Sequence, residues 1–477
     1  MEIVISKAKF PLLIIILISL VSFALSMNLI IGICAIVAIA LTYVAFRIGI
    51  KKFLLSSIVL VIILPPINFL PPSLNIGVIN PLTALIMLGF AISVLYKFKR
   101  TDLNLKAPYF WLFITFVLTM LSSVFNAYYP SEAVYQSLRF IMGSLFVYML
   151  ISYLLKNKME IRFLINTIIT IISIHSVYSI VEYVFEYNFI FYDILQQKLS
   201  NLEQFRRVYR AYGTTGLPNV LSCLIVTVVP LIIYKFKESK KWTYFAVLAV
   251  NLAALYCTMS RAGVAVLVVT GLLYFLIKKN RTKTLYLGVI LISIGVLMGW
   301  NYIGAQNVEL EKLELRWDIN NIKESGSYWH RMYKLESAKL ILQDRPFFGI
   351  GFGNYPYVSD HSEYLAISDP NALNTFDNMY LKIVSETGVV GFSVFVLLIG
   401  VMLTSIIRGI RFASGEGRIL LGCIVFSIIS FLIYSVILET FFWNSLNIIF
   451  WILVAVGLKI VSLDRADYYR NSEVGTN

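Results

Sequence analysis

Apolar residues in this chain come in blocks rather than in alternation. Runs of 16 to 23 residues fall at roughly 10–26, 29–46, 53–70, 78–96, 109–128, 137–155, 163–185, 217–234, 242–258, 262–277, 284–301, 388–407, 419–437 and 441–458. Each run suits the roughly 20 residues that a helix needs to cross a bilayer. Backbone groups in lipid have no water to bond, so such runs must be helical. The pattern predicts an all-α polytopic integral membrane protein with about fourteen (12–14) transmembrane helices. Residues 10–26, after Lys7 and Lys9, also resemble a signal peptide with Ala24 and Ser26 at the cleavage site. A second run follows at once, so the first reads as a retained span.

The polar segments between the runs set the orientation. With the N-terminus inside, cytoplasmic segments hold 26 of the 40 Lys and Arg, whereas the outer segments 65–77, 125–136 and 438–440 hold none. That is the positive-inside pattern, and it places both termini in the cytoplasm. Two outer segments are long and basic. One is Glu186–Gly216; the other runs from Tyr302 to Thr387, about 85 residues with eight Lys or Arg. Long loops translocate largely regardless of charge, and loops of this length are functional or disordered; the Trp, Tyr and Phe in both argue for order. The expected organisation is about eleven spans over 1–301, a large extracytoplasmic loop over 302–387 carrying short amphipathic helices, and three spans with a cytoplasmic tail over 388–477.

Composition agrees: 59% of residues are hydrophobic and 14% charged, against about 25% charged in soluble domains. The formal charge of +14 does not mark a nucleic-acid binder, because the basic residues stand in short clusters between apolar runs rather than on one soluble face. Cys34, Cys223, Cys257 and Cys423 lie in or beside apolar runs without metal-ligand spacing, so neither a disulfide framework nor a zinc site is indicated.

Candidate chemistry lies on the outer side. In the second loop, Ser325–Ser327 precedes a helix expected over 328–343 and ended by Pro346. Arg331, Leu335, Ala338 and Leu342 share one face; Glu336, Lys339 and Gln343 share another. The helix either rests on the membrane surface or aims Arg331 at a phosphate-bearing ligand. Pro346–Tyr355 follows, and its Gly349-Ile-Gly351 lacks the preceding strand that a dinucleotide fold needs. It reads instead as a turn packing the loop against the membrane domain. Arg210 leads into Gly213–Asn219 and the eighth run, with Pro218 suited to a helix start. Arg261, after Ser260, either snorkels or clamps an anion with its planar fork. Within the runs the ionisable residues are Arg139, His175 and Glu182; His175, Ser179 and Glu182 share a face, as a site or as a contact between helices. Asp377-Asn378 precedes Glu386-Thr-Gly388 at the twelfth run.

In this order the pieces resemble the O-antigen ligase and Wzy-type polymerase family of bacterial polysaccharide assembly. The carriers are Gly213-Thr-Thr-Gly-Leu-Pro-Asn219, Ser260-Arg261, Pro346-Phe-Phe-Gly-Ile-Gly-Phe-Gly-Asn354, and Asp377-Asn-Met-Tyr-Leu with Glu386-Thr-Gly-Val-Val-Gly391. The resemblance implies a multi-pass protein of the bacterial cytoplasmic membrane and a metal-independent inverting glycosyl transfer on its outer face, without cofactor. The donor is a glycan on undecaprenyl pyrophosphate; a flippase and a chain-length regulator are its expected companions, and membrane lipid its surroundings. Arg210, Arg261, Arg331, Asn378 and Glu182 become the substrate-binding candidates. Asp377 and His361 become the candidates for activating the acceptor hydroxyl. Ligases of the family typically carry His-Asn where this chain has Asp377-Asn378, which favours the polymerase branch. A ligase acting on lipid A core, or a flippase or exporter of lipid-linked sugars, are the alternatives; no repeated halves of the transporter kind are visible.

Overall fold

The computed structural model describes residues 50–63, 108–189, 209–277, 326–360, 377–413 and 415–474. The spans expected at 10–26, 29–46, 78–96 and 284–301, the end of 53–70, much of both long outer loops, and His361 lie outside these residues. Contacts divide the chain into a unit ending at Ile58 and a unit from Val59 onward; of the first, only 50–58 are described.

The described residues form helices and connecting turns. In chain order they are α1 (Ile50–Val61), α2 (Pro108–Ser122), α3 (Pro130–Ile141), α4 (Val147–Leu154), α5 (Lys158–Phe185), α6 (Pro218–Ser239), α7 (Trp242–Cys257), α8 (Arg261–Ile277), α9 (Gly326–Asp344), α10 (Met379–Gly409), α11 (Gly415–Tyr434) and α12 (Asn444–Val474). A widened turn at Met142–Phe146 joins α3 to α4 as one span. Seven of the described helices are long and apolar enough to cross a membrane, and α7 and α8 are shorter apolar helices. This is a multi-pass membrane protein.

Helix ends follow local chemistry. Asn157 caps α5 by accepting from Glu160 N at 3.0 Å while Glu160 accepts from Asn157 N at 3.3 Å, a reciprocal capping box. Pro218 opens α6 at a position where a missing N–H costs nothing. The α6 helix is apolar on every side, with a continuous buried stretch over 220–235, as a central helix must be. It packs on α11, α7, α5 and α8, while α12 packs on α4, α11 and α10, and α2 lies along α10.

The connections alternate between two ends of the bundle. At one end Lys158 pairs with Asp464 at 2.8 Å and Asp467 at 2.9 Å, and Arg162 pairs with Glu238 at 3.5 Å and with Glu416. These contacts gather the start of α5, the ends of α6 and α12, and the start of α11. At the other end Met379 N donates to Ser435 O at 2.9 Å, Ala211 N to Cys257 O at 2.9 Å, and Arg139 Nε to Asn444 Oδ1 at 2.9 Å. The alternation that Lys and Arg counting predicts is therefore geometrically present in the described helices.

Candidate active site

The α9 helix covers the expected 328–343 but buries a different face. Lys334, Ser337, Ala338 and Ile341 are buried, whereas Leu335 is 45% exposed and Arg331 is exposed. The expected stripe of Arg331, Leu335, Ala338 and Leu342 is thus rotated. The reason is electrostatic as well as apolar: Lys334 Nζ lies 2.7 Å from Asp377 Oδ2, a partner for a cation that could not otherwise be buried cheaply. Ala338 and Ile341 join Ile350 and Tyr355 in a small core roofed by Tyr128, Leu340 and Leu381. Burial raises the Tyr355 phenol pKa well above its ordinary value.

Pro346–Asn354 completes a break in α10. The helix runs from Met379 but Gly388 is non-helical, with φ 66° and ψ −174°, so neighbouring backbone groups lose their helical partners. The loop supplies them. Ile350 N donates to Ser385 O at 3.1 Å and Gly351 N to Glu386 O at 3.0 Å; in return Val389 N donates to Pro346 O at 2.8 Å. The buried Glu386 accepts from Tyr355 N at 3.2 Å. Asn354 Oδ1 accepts from Tyr129 N at 2.8 Å, and Arg345 donates to Asn126 O at 2.5 Å, fastening the same loop to the end of α2. This is the packing turn expected from the sequence.

Ser260 caps α8, its hydroxyl accepting from Gly263 N at 3.2 Å, which places Arg261 in the first helical turn. Backbone N–H groups there favour anions. The Ser260 hydroxyl also meets Tyr434 Oη at 3.0 Å and Asn219 Oδ1 at 3.3 Å. Arg210 binds the same cluster: Nε donates to Thr258 O at 3.0 Å and a terminal nitrogen to Asn219 Oδ1 at 3.2 Å. Arg331 of α9 is near enough for its charge to act on Arg261. Arg261 is half-buried and Arg331 exposed, so the two like charges stand at the border of the fold.

The Asp377 segment closes this group from the α10 side. Asp377 adopts a left-handed backbone at φ 52°, which aspartate tolerates better than most residues. Asn378 then caps α10, accepting from Tyr380 N at 2.9 Å and Leu381 N at 3.1 Å. Its side-chain oxygen is thereby engaged in structure. Below it, Lys382 Nζ meets Glu439 Oε2 at 2.7 Å, both buried, with the ammonium 3.7 Å from the Phe442 ring centroid.

His175 and Glu182 do share one buried face with Ser179, and that face grips a loop. Glu182 accepts from Gly213 N at 2.7 Å, Tyr212 N at 3.2 Å and Tyr209 Oη at 3.0 Å. His175 Nε2 accepts from Thr214 N at 2.8 Å. Burial, then the Glu182 charge, pushes the Tyr209 phenol pKa far up, so it serves as a donor. Of the proposed substrate contacts, Glu182 therefore has its carboxylate occupied in holding Gly213 and its neighbours to α5. Among the described residues no cluster of three or more His, Cys, Asp or Glu could hold a metal.

Comparison with known families bears on this geometry. Residues 245–396 match the family model described as O-antigen ligase. That segment is O-antigen ligase-like. It contains Arg261, Arg331, Lys334, Asp377 and the Glu386–Gly388 break, so the O-antigen ligase-like segment includes most of the cationic group; Arg210 reaches the Ser260 cluster from outside it. No curated protein matches the chain. The match supports a function of the O-antigen ligase and polymerase class.

Two participants escape a reading by residue type. Lys334 looks like any solvated lysine of an amphipathic helix; only its i, i+3, i+4, i+7 relation to Ser337, Ala338 and Ile341 signals burial. Tyr434 lies in a different span from Ser260, and nothing local signals their contact.

Proposed function

We propose that the chain polymerises a bacterial surface polysaccharide (O-antigen, capsule or exopolysaccharide), moving a glycan from undecaprenyl pyrophosphate onto the next lipid-linked repeat unit on the outer face of the cytoplasmic membrane. The observation that carries this reading is the gathering of Arg261, Arg331 and the Lys334–Asp377 pair at one end of the bundle, in the O-antigen ligase-like segment.

In this reading Arg261 and Arg331, with Arg210 behind them, receive the donor pyrophosphate. An anion bound between them offsets their like charge, and their hold strengthens as charge develops on the leaving oxygen. The acceptor hydroxyl oxygen attacks the anomeric carbon from the side opposite the pyrophosphate. The new glycosidic C–O bond forms as the bond to the pyrophosphate oxygen breaks, and its electron pair departs with undecaprenyl pyrophosphate. The hydroxyl proton passes to Asp377, which orients the attacking oxygen and later releases the proton to water. The configuration inverts, and no metal or cofactor takes part. Asp377-Asn378 in place of His-Asn favours the polymerase over the ligase.

The test is reconstitution in nanodiscs, and in parallel in sealed vesicles, with a synthetic undecaprenyl-pyrophosphate-linked repeat and lipid A core as a second acceptor, with products sized by mass spectrometry. A ladder of repeats supports the polymerase. Transfer only to lipid A core would make it a ligase, and movement across sealed vesicles without a new glycosidic bond would make it an exporter.

A further inference from the structure

We infer that Lys334 is a positioning residue of the transfer site, fixing the separation between the donor's pyrophosphate and the carboxylate that receives the acceptor hydroxyl; this rests on the function proposed above. Lys334 enters from the buried side of α9. Its side chain is 6% exposed and its Nζ lies 2.7 Å from Asp377 Oδ2, whereas the Asp377 side chain is 42% exposed. The carboxylate is thus held from within and presented outward. Its backbone is held as well. Asn378 caps α10, and Met379 N is tied to Ser435 O at 2.9 Å.

Arg331 is one turn earlier on the same helix, which sets the Cβ atoms of the two residues about 5–6 Å apart. Arg331 acts on Arg261 at the head of α8, while Lys334 acts on Asp377 at the head of α10. A single rigid helix therefore spaces the pyrophosphate-facing cation from the acceptor-facing carboxylate. Ser337, Ala338 and Ile341 bury the next turns, so α9 cannot rotate to change that spacing without exposing its core. Lysine suits the task. Its point charge donates to one carboxylate oxygen without the bidentate fork that would occupy both.

The experiment uses the full-length protein in nanodiscs with the synthetic lipid-linked repeat. Lys334→Met should lower kcat by about 10- to 100-fold, the scale on which small misplacements act, while the donor KM stays within about twofold. Lys334→Arg should recover part of the loss. The double variant Lys334→Met/Asp377→Asn should be no slower than Asp377→Asn alone, because Lys334 acts through Asp377. Unchanged kcat in folded Lys334→Met beside a strongly slowed Asp377→Asn would overturn this inference and leave the functional reading standing. A raised donor KM at constant kcat would also overturn it, making Lys334 a donor ligand. Absence of any glycosidic product from the wild-type protein would overturn the functional reading itself. If Lys334→Met does not fold, the Lys334→Arg kcat and KM decide by the same split.

Discussion

Gly388 of α10 meets the backbone of Phe347 edge-on: a Cβ built on Gly388 would lie 2.2 Å from the Phe347 carbonyl carbon. With φ at +66°, the position also resists any L side chain on conformational grounds alone. The Pro346–Asn354 loop and the membrane helix are therefore one structural element, since each supplies the hydrogen bonds that the other lacks.

Gly388→Ala should consequently lower the thermal transition of the detergent-solubilised protein and reduce its membrane level. Gly400→Ala, in the same helix with nothing within 4 Å of its added methyl, should be neutral or stabilising by about 0.5–1 kcal/mol. Equal transitions for the two variants would remove the interlock from the account.

The Gly213 loop should depend on Glu182 for stability rather than for substrate contact. Glu182→Ala strands Tyr212 N and Gly213 N, and each buried donor without a partner costs about 1–3 kcal/mol. A lowered transition with donor KM unchanged is the expected outcome. Gly213→Ala should be equally damaging, because its Cβ would fall 2.2 Å from His175 Nε2. A stable Glu182→Ala variant with a raised donor KM would return Glu182 to the binding site.

Arg261→Lys keeps the charge and loses the planar fork. If Arg261 grips pyrophosphate in two places, transfer should fall about 10-fold or more with membrane level unchanged, since charge-assisted bidentate bonds exceed single contacts. Arg261→Ala should fall further. Full activity in Arg261→Ala would exclude this residue from the site.

The buried Lys382–Glu439 pair beneath the site should be structural. Glu439→Gln leaves the Lys382 ammonium in place without its counter-charge, a change that costs about 3–5 kcal/mol. The protein should unfold at lower temperature, read by a fluorescence-detected melt. An unshifted melt would mean that water reaches the pair.

Orientation can be read by cysteine labelling with a membrane-impermeant reagent. Cysteine at Lys240 or Arg411 should be protected in intact cells, and cysteine at Glu336 on α9 should label. Protection at Glu336 would put the arginine group on the cytoplasmic face and sink the proposed chemistry.

Much of this was legible along the chain. The described membrane helices fall where the apolar runs predict them, because lipid leaves the backbone no other means of satisfying its polar groups. The break at Gly388 coincides with the predicted edge of the twelfth run, yet α10 begins nine residues earlier, at Met379. A sliding apolar pattern cannot see that extension, since 379–387 is polar enough to read as loop and becomes helical through the Asn378 cap. The resemblance was legible too, because it is carried by residues close together in sequence.

Partnership was not. Asp377 stood out by type and Lys334 did not, although the two are in contact across 43 positions. Glu182 stood out as an intramembrane carboxylate, and sequence alone left open whether it bound a ligand or another segment. Periodicity reports which face of a helix is apolar; it does not report which polar group will find a counterpart once the helices pack. The amino-acid sequence by itself therefore determined the described helices and their alternating ends. Only the tertiary structure decided which charges meet, because burying a charge is governed by the partner that packing brings to it.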